Sequence, residues 1–395
     1  MKIAIYSDNF YPEISGISDS IILLAKELAK RGHQINFYVP RYSKKNFEIA
    51  KYAYQEIDLG ENINIFRLPS ISFPGSPTKQ GRIALPVLSS FRHIKKFNPD
   101  IIYSQDIFPC GLEALMITKI LRKPFLGTNH TPMAEFMKYS PINFKWTEKL
   151  CLKYVSWYYN RCQFVSAPNK SIISEMKKYG FKKTSRTISN PIELHDFKSY
   201  EKERKRALKK ELGLSEHTVI YTGRLAPEKQ IDVAIRAMAK VKKVFPDINL
   251  ALTGHGIAEK SLRKLVKKLK LENSVKFFGF VEYGEKYTNL YNACDIFTVT
   301  STAEMQCLSM MQAMACALPV IAVNAWALPE YVNSKNGYII DIDDYQDLAE
   351  KIIYLFQNPG KISELGQGGL EYVKNFSSEK IAEAWEEIFL RFIKK

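Results

Sequence analysis

The chain has 395 residues, of which 46% are hydrophobic and 25% are charged. This is the balance of an ordinary globular protein with room for two or three domains, and it excludes disordered, collagen-like and coiled-coil architectures. The net charge is +16, and residues 1–200 carry 29 basic and 16 acidic side chains against 28 and 25 in residues 201–395. The basic first half predicts an anionic partner such as a phosphorylated ligand, a membrane surface or nucleic acid, although a lysine-rich coding bias is an alternative source of the total charge.

Cysteine usage and hydropathy indicate the compartment. The six cysteines are scattered, with no Cys-x-x-Cys pair and no zinc-like spacing to the six histidines, which fits a reducing environment. The N-terminus enters a strand-like run without the charged lead-in and apolar core of a signal peptide. No run of about 18 apolar residues occurs, so no transmembrane span is predicted. We therefore expect a cytoplasmic protein, either soluble or peripheral to a membrane.

The predicted elements of the first half alternate between short β-branched or aromatic runs and longer helical patterns. This alternation is typical of βαβ units around a parallel sheet. A helix is predicted at Ser18–Arg31, ending before Gly32. The predicted strands are Lys2–Tyr6, Gln34–Val39, Asn64–Arg67, Ile101–Tyr103, Phe125–Thr128 and Gln163–Ser166.

The second half begins with Glu201–Lys210, a basic stretch that reads as a solvated helix or a linker, and the alternation then restarts. Residues 378–395 form a predicted amphipathic helix with Ile381, Trp385, Ile388 and Phe389 on one face. Two successive doubly wound units with a break near residue 195 are the simplest interpretation. The predicted elements between these segments are Val219–Thr222, Ile231–Val244, Asn249–Thr253, Ala258–Leu269, Val275–Phe278, Ile296–Thr300, Cys307–Ala315 and Val320–Val323.

Ligands of open α/β sheets bind at the carboxyl ends of the strands, so the residues that follow each strand are the candidate site. The small-residue loop 7–18 leads into a helix, and its Gly16 suits phosphate contact, although an ordinary strand-to-helix loop fits equally well. In the loop after Thr222, Arg224 and Lys229 would form a suitable clamp for a diphosphate, and two solvated basic residues in a loop are the alternative. Glu304 follows the strand at Ile296–Thr300 and can accept hydrogen bonds from sugar hydroxyls.

These segments resemble the family-4 retaining glycosyltransferases. The resemblance covers nearly the whole chain, and it is most specific in the second half. It implies the GT-B fold, an α/β architecture in which two Rossmann-like, doubly wound parallel-sheet domains face a central cleft. The matching segments are Tyr11–Gly16, Thr128–Thr131, Ser189–Ile192, Gly223–Lys229, Glu304–Gln312, Ala317–Ala322 and Asn324–Glu330.

The resemblance also implies domain limits and a role for each site residue. Residues 1–192 with 377–395 would form the acceptor-side domain, and residues 193–376 the nucleotide-sugar domain. Arg224 and Lys229 would bind the donor diphosphate, and Glu304 would meet the hexose with help from the backbone of Met305–Leu308. The implied catalytic set is His130, Glu304, Arg224 and Lys229, and the implied donor-binding set is Gly16, Gly223, Arg224, Lys229, Glu304, Met305, Gln306, Cys307, Leu308 and Gln312.

His130 and Asp106 are the acceptor-side candidates, because both follow strands of the first half. A structural role for His130 is the alternative. Two positions depart from the family pattern. Gln312 replaces the acid that holds the ribose hydroxyls, so we expect altered but not abolished donor binding. Ser15 precedes Gly16 where Gly-Gly is usual, which weakens the prediction of a phosphate contact there.

The acceptor is predicted from residues 143–161. Lys145, Lys149 and Lys153 recur every four residues beside Trp146 and Trp157, a pattern that suits the interface of an anionic membrane. The alternative is a helix that packs its aromatic residues into the domain. Arg92, His93, Lys95 and Lys96 add a second basic cluster.

We therefore expect a metal-independent, cofactor-free retaining hexosyltransferase that is most similar to diacylglycerol glucosyltransferases and lies at the inner face of the cell membrane. UDP-glucose is the expected donor and a membrane lipid such as diacylglycerol the expected acceptor. The alternatives are transfer to a soluble or cell-surface polysaccharide or protein, and a non-catalytic nucleotide-sugar binder. No helix-turn-helix, zinc or RNA-binding signature supports a nucleic-acid partner.

Overall fold

The computed structural model describes residues 1–13, 15–73, 80–85, 87–131, 133–138 and 144–393. The chain divides into two compact units. The first unit comprises Met1–Pro191 together with Ser378–Lys395, and the second comprises Ile192–Ser377.

The described part of the first unit is built on a seven-stranded parallel sheet and a separate antiparallel hairpin, β4–β5. The strands are β1 (Lys2–Tyr6), β2 (Gln34–Pro40), β3 (Ile63–Leu68), β4 (Ser70–Ser72), β5 (Arg82–Ala84), β6 (Ile101–Ser104), β7 (Phe125–Thr128), β8 (Phe164–Ala167) and β9 (Ser185–Thr187). The helices are α1 (Gly16–Lys30), α2 (Lys44–Ala50), α3 (Phe91–Phe97), α4 (Pro109–Leu121), α5 (Met133–Lys138), α6 (Lys145–Tyr159) and α7 (Lys170–Lys178).

The strand order of this sheet is β3-β2-β1-β6-β7-β8-β9. The central strands are buried along nearly their whole length, which is why their sequences are continuous apolar runs and not alternating ones. The chain winds outward from β1 in one direction and then from β6 in the other. The loops that follow β1 and β6 therefore meet at the point where the winding reverses.

The second unit repeats this plan with a six-stranded parallel sheet, in the described residues, of order β12-β11-β10-β13-β14-β15. Its winding reverses between β10 and β13. The strands are β10 (Thr218–Thr222), β11 (Asn249–Thr253), β12 (Val275–Gly279), β13 (Ile296–Val299), β14 (Val320–Val323) and β15 (Gly337–Ile340). The helices are α8 (Lys202–Glu211), α9 (Ile231–Val241), α10 (Glu259–Lys268), α11 (Glu285–Asn292), α12 (Leu308–Ala315), α13 (Leu328–Tyr331), α14 (Tyr345–Gln357) and α15 (Pro359–Val373).

The last helix, α16 (Ser378–Ile393), packs on the first unit. Its predicted apolar face is buried, and the Trp385 ring lies 4.6 Å from the Tyr103 ring of β6. On its polar side, Glu386 accepts a hydrogen bond from Arg31 at 3.0 Å. Thus α16 joins the core of the first unit although it follows the second in sequence.

The predicted strands and helices are confirmed to within a few residues, and Glu201–Lys210 proves to be helix α8. Strands β9, β4, β5 and β15 were not predicted from the sequence. These strands have three to four residues, and β15 starts at Gly337, so their apolar signal is weak. Among the described residues, no helix is both long enough and apolar enough to span a bilayer.

Candidate active site

The reversal point of the second sheet brings two loops of the candidate donor site together. Lys229 lies in the loop after β10, and Glu304 lies in the loop after β13. The Thr300 hydroxyl donates to the Lys229 carbonyl oxygen at 2.9 Å, and the Thr302 amide donates to the Glu228 carbonyl oxygen at 3.1 Å. These bonds fix one loop against the other, so residues 75 positions apart in sequence share one small region.

Lys229 and Glu304 form an ion pair within this region. Their Nζ and Oε1 atoms are 2.6 Å apart, and each side chain is only 14% exposed. Burial alone would lower the pKa of Lys229, but the adjacent Glu304 carboxylate outweighs it and the pKa is raised. Lys229 therefore stays cationic at neutral pH and can neutralise a bound anion.

Arg224 adds a second cation beside this pair. Its guanidinium is half-exposed and contacts Glu228 Oε1 at 3.0 Å. Water screens the half-exposed guanidinium, although Glu228 itself is only 14% exposed, so Arg224 can exchange Glu228 for a phosphate. The two cations predicted from sequence thus differ in the structure, since Lys229 is largely enclosed and held by Glu304 whereas Arg224 is open to solvent.

Glycines allow the loops at this edge of the sheet to pack closely. Gly223 has φ +149°, and a Cβ there would lie 2.9 Å from the Tyr221 hydroxyl. A Cβ at Gly254 would overlap the Gly223 carbonyl oxygen, and one at Gly256 would overlap that of Leu225. The loop Gly254–Gly256 was not predicted as part of the site, although its Gly-x-Gly sequence directly after β11 is a signal for close packing of the backbone.

The block from Glu304 to Gln312 is part loop and part helix. Because α12 begins only at Leu308, Glu304 lies in the preceding loop and shares no helix face with Gln312. The predicted backbone contacts at Met305, Gln306 and Cys307 lie in this mostly buried loop. Gln312 itself is half-buried, and its Oε1 atom accepts a hydrogen bond from the Tyr291 hydroxyl at 3.3 Å.

We expect Gln312→Glu to tighten donor binding by about tenfold if residue 312 contacts the ribose. A carboxylate accepts hydroxyl hydrogen bonds about 1.5 kcal/mol more strongly than an amide, since hydrogen bonds to charged groups are the stronger class. Calorimetric titration of UDP-glucose into both proteins measures the change. Gln346→Glu on the exposed start of α14 is the control for added charge. If the native protein, Gln312→Glu and Gln346→Glu bound the donor equally well, Gln312 would have no contact with the ribose and only a packing role in α12.

The first unit places its candidates at its own reversal point and beside it. Gly16 is the first residue of α1 and is exposed, and Ser15 caps the helix by accepting a hydrogen bond from the Ile17 amide at 3.3 Å. Asp106 follows β6, but it is only 2% exposed and accepts hydrogen bonds from the loop after β1. Gly16 is thus accessible to a ligand in the first unit, whereas Asp106 is enclosed.

His130 follows β7 and is held by a residue that the sequence analysis did not identify. Its Nε2 atom is 2.8 Å from Oε1 of Gln105, and both residues line a small pocket with the hydroxyls of Tyr103, Thr128 and Ser166. Burial lowers the pKa of His130 to about 4, so the ring is neutral at physiological pH. A neutral imidazole can position a hydroxyl group but contributes no positive charge to the site.

The basic and aromatic residues predicted at the membrane interface all lie on α6. Of the segment 143–161, only residue 143 lies outside the described residues. Trp146 is 66% exposed and Trp157 is 43% exposed, and Arg161 stacks on the Trp157 ring at 3.6 Å. The opposite side of the helix, including Tyr158 and Tyr159, packs into the core. We call the exposed side of α6 the basic–aromatic face, and it consists of Lys145, Trp146, Lys149, Leu150, Lys153 and Trp157.

The second predicted basic cluster is only partly accessible. Arg92, Lys95 and Lys96 of α3 are exposed, but His93 is half-buried and stacks on Phe66 at 4.7 Å between ring centres. Burial lowers the pKa of His93, so it contributes no charge at neutral pH. Within the described ranges, no group of three or more His, Cys, Asp or Glu side chains is placed to hold a metal ion.

Comparison with family models identifies both halves of the chain. Residues 14–196 match the model described as Glycosyltransferase Family 4, and residues 202–371 match Glycosyl transferases group 1. The chain belongs to the family-4 glycosyltransferases. The resemblance stated from the sequence motifs is thereby confirmed, and the loops after β10 and β13 are parts of a glycosyltransferase.

Two curated relatives share a name. The chain is 27% identical to an alpha-monoglucosyldiacylglycerol synthase from Acholeplasma laidlawii, and the alignment covers 100% of the chain and 98% of the relative. It is 28% identical to a protein of the same name from Streptococcus pneumoniae, over 82% of the chain and 71% of the relative.

Solved structures identify the fold. HepE from Anabaena, crystallised with UDP-glucose, has a TM-score of 0.76 at 22% identity and covers 99% of this chain and 100% of that one. A sucrose-phosphate synthase from Thermosynechococcus elongatus has a TM-score of 0.79 at 20% identity, with coverage of 99% and 98%. The two parallel-sheet, Rossmann-like units of this glycosyltransferase are those of the GT-B fold, as expected.

Proposed function

We propose that this glycosyltransferase moves glucose from UDP-glucose to a membrane lipid of the diacylglycerol type, with retention of the anomeric configuration and without a metal ion. The observation that carries the donor part is the largely buried Lys229–Glu304 pair at the reversal point of the second sheet. One cation and one hydrogen-bond acceptor, held side by side, match the diphosphate and the hydroxyl groups of a nucleotide-sugar.

Charge development in the reaction falls on the leaving diphosphate. As the bond between the hexose C1 atom and the diphosphate oxygen breaks, Lys229 and Arg224 stabilise the growing negative charge. The acceptor hydroxyl oxygen bonds to C1, and its proton passes to an oxygen of the departing diphosphate. Two cations can supply this stabilisation without a metal ion, so we expect transfer to continue in the presence of EDTA.

The basic–aromatic face supports a lipid acceptor. Three lysines beside two exposed tryptophans combine attraction to anionic headgroups with rings that favour the membrane–water interface. Both curated relatives described above are named for glucose and diacylglycerol. We therefore propose peripheral attachment of the enzyme through the first unit, on the inner face of the cytoplasmic membrane.

Replacing Lys145, Lys149 and Lys153 together with alanine is expected to weaken binding to phosphatidylglycerol vesicles by roughly a hundredfold at low salt. Each lysine near an anionic surface contributes about 1 kcal/mol, and about 1.4 kcal/mol corresponds to a factor of ten. Vesicle co-sedimentation measures the change, and calorimetry with UDP-glucose checks that donor binding is preserved.

The matched control for this experiment is a triple alanine variant of helix α8 at Lys202, Arg206 and Lys210. These three substitutions remove the same charge as the α6 variant, but from an exposed helix of the second unit. We expect this control to bind vesicles like the unmodified protein. If both variants lost the same vesicle affinity, the loss would reflect net charge and not the basic–aromatic face. If the α6 variant lost no vesicle affinity, a soluble acceptor would be favoured.

A further inference from the structure

Two buried carboxyl groups meet at the reversal point of the first sheet. Asp8 lies in the loop after β1, and Asp106 lies in the loop after β6. The Asp8 amide donates to Asp106 Oδ2 at 3.1 Å, and the Ser7 hydroxyl donates to the same oxygen at 3.2 Å. The reversal point of the second sheet holds the Lys229–Glu304 ion pair, whereas the reversal point of the first sheet holds two acids.

Each acid has one oxygen paired and one oxygen unpaired. Asp8 Oδ1 accepts a hydrogen bond from the Cys110 amide, near the start of α4, at 3.1 Å. Within the described part of the chain, Asp8 Oδ2 and Asp106 Oδ1 are buried and have no hydrogen-bond partner. If both carboxylates were ionised, each would keep one buried oxygen without solvent or a partner, which is a costly arrangement.

Among the described residues neither acid forms an ion pair, and the positive end of the α4 dipole reaches Asp8 through the Cys110 amide. Asp8 is 8% exposed and Asp106 is 2% exposed, so solvent screens them little. The titratable groups that face the acids are Tyr42, Cys110, Tyr154, Tyr158 and Tyr159, with Glu113 beside Cys110.

We propose that Asp8 and Asp106 share one proton at neutral pH. Protonation of one acid leaves a single negative charge at this buried position, and it turns an oxygen that has no partner into a hydroxyl group. Burial, and then the charge of Asp106, raise the pKa of Asp8 to about 8, and burial raises the pKa of Asp106 to about 6. The pair therefore retains one proton between these two values.

Asp106 directly follows Gln105, and Gln105 holds the His130 ring through its 2.8 Å hydrogen bond. This inference concerns the first unit by itself and does not depend on the identity of the donor or the acceptor.

The inference predicts how stability depends on pH. A carboxyl group whose pKa is raised by folding stabilises the folded state fully below its unfolded value of about 4, and that contribution is lost as the pH rises to the folded value. Between pH 6 and 8 the folded pair holds one proton that the unfolded chain has released. The unfolding constant of the native protein should therefore rise by about tenfold per pH unit, relative to a variant without this proton.

Asp8→Asn is the variant without this proton. Its side-chain amide donates a hydrogen bond at every pH, whereas the Asp8 carboxyl group donates only when it is protonated. We expect the ratio of the unfolding constant of the native protein to that of Asp8→Asn to rise about tenfold per pH unit from pH 6 to pH 8, and then to level off. Urea titrations of the full chain at several pH values measure it. The control is Asp100→Asn, which alters a carboxyl that accepts from the Lys2 amide at the opposite edge of the same strands.

Asp100→Asn should follow the native curve throughout. Parallel curves for the native protein and Asp8→Asn between pH 6 and 8 would overturn the proposal. A second measurement needs no variant, namely the titration of the aspartate carboxyl carbons by ¹³C NMR. One resonance that titrates near pH 8 supports the shared proton, whereas titration of all aspartates near their usual value of about 4 overturns it.

Discussion

Replacing Lys229 with alanine is expected to lower glycosyl transfer by about a hundredfold to a thousandfold, the range observed when one preorganised charge stabiliser is removed from an active site. Lys229 is the buried cation of the donor site, and its contact with Glu304 holds its ammonium group in place. Without Lys229, only the half-exposed guanidinium of Arg224 remains, of these two cations, to neutralise a bound diphosphate. Binding of UDP alone should weaken together with turnover, because both depend on the same charge.

Calorimetry with UDP and a transfer assay measure these two effects of Lys229→Ala. The variant leaves Glu304 partly buried and unpaired, so its melting temperature must be recorded alongside. Lys351→Ala is the matched control, since Lys351 also forms an ion pair in the second unit, with Asp347 on α14 at 3.4 Å. Full transfer by a folded Lys229→Ala protein would contradict the donor-site assignment.

Glu304→Gln is expected to separate sugar recognition from nucleotide recognition. If Glu304 accepts hydrogen bonds from the hexose hydroxyls, loss of its charge removes about 1.5–3 kcal/mol and lowers turnover of UDP-glucose by roughly tenfold to more than a hundredfold. UDP lacks the hexose, and Lys229 no longer pairs with a carboxylate in this variant. The affinity for UDP should therefore stay equal or increase.

This divergence between UDP affinity and UDP-glucose turnover distinguishes Glu304 from Lys229, for which both fall together. Glu364→Gln on α15 is the control, because it neutralises an exposed glutamate that pairs with Lys361. A parallel fall of UDP affinity and turnover in Glu304→Gln would instead assign Glu304 a structural role through Lys229.

The fold could be predicted from the sequence because its determinants are local. Strands such as Lys2–Tyr6 and Val320–Val323 are short apolar runs, and parallel strands buried on both faces have this pattern. The hairpin β4–β5 escaped prediction because it is short and stands outside the main sheet, where little burial marks its residues.

The candidate site could be predicted only as separate loops. Position after a strand identified Arg224, Lys229, Glu304 and His130, since strand ends are read from apolar runs. The ion pair between Lys229 and Glu304 depends on which strands are neighbours, and the order β11-β10-β13 is a property of the folded sheet. For the same reason, the sequence analysis did not identify Gln105 beside His130.

The distinction between helix faces also required the structure. Glu304 and Gln312 are eight residues apart, a spacing that would put them on one face of a helix if the helix began before Glu304. The start of α12 at Leu308 excludes this, because Glu304 is four residues before the helix. The basic–aromatic face shows the opposite case, in which the four-residue spacing of its lysines was sufficient to predict one exposed side of α6.

The most direct test of the proposed activity is the release of UDP from UDP-glucose in the presence of anionic vesicles, with and without diacylglycerol. The account predicts release that requires diacylglycerol, with one glucosyl lipid formed for each UDP and an α-anomeric proton in its NMR spectrum. Release without any lipid product would contradict the lipid acceptor. No release in either case, together with no binding of UDP-glucose, would contradict the donor site and with it the proposed function.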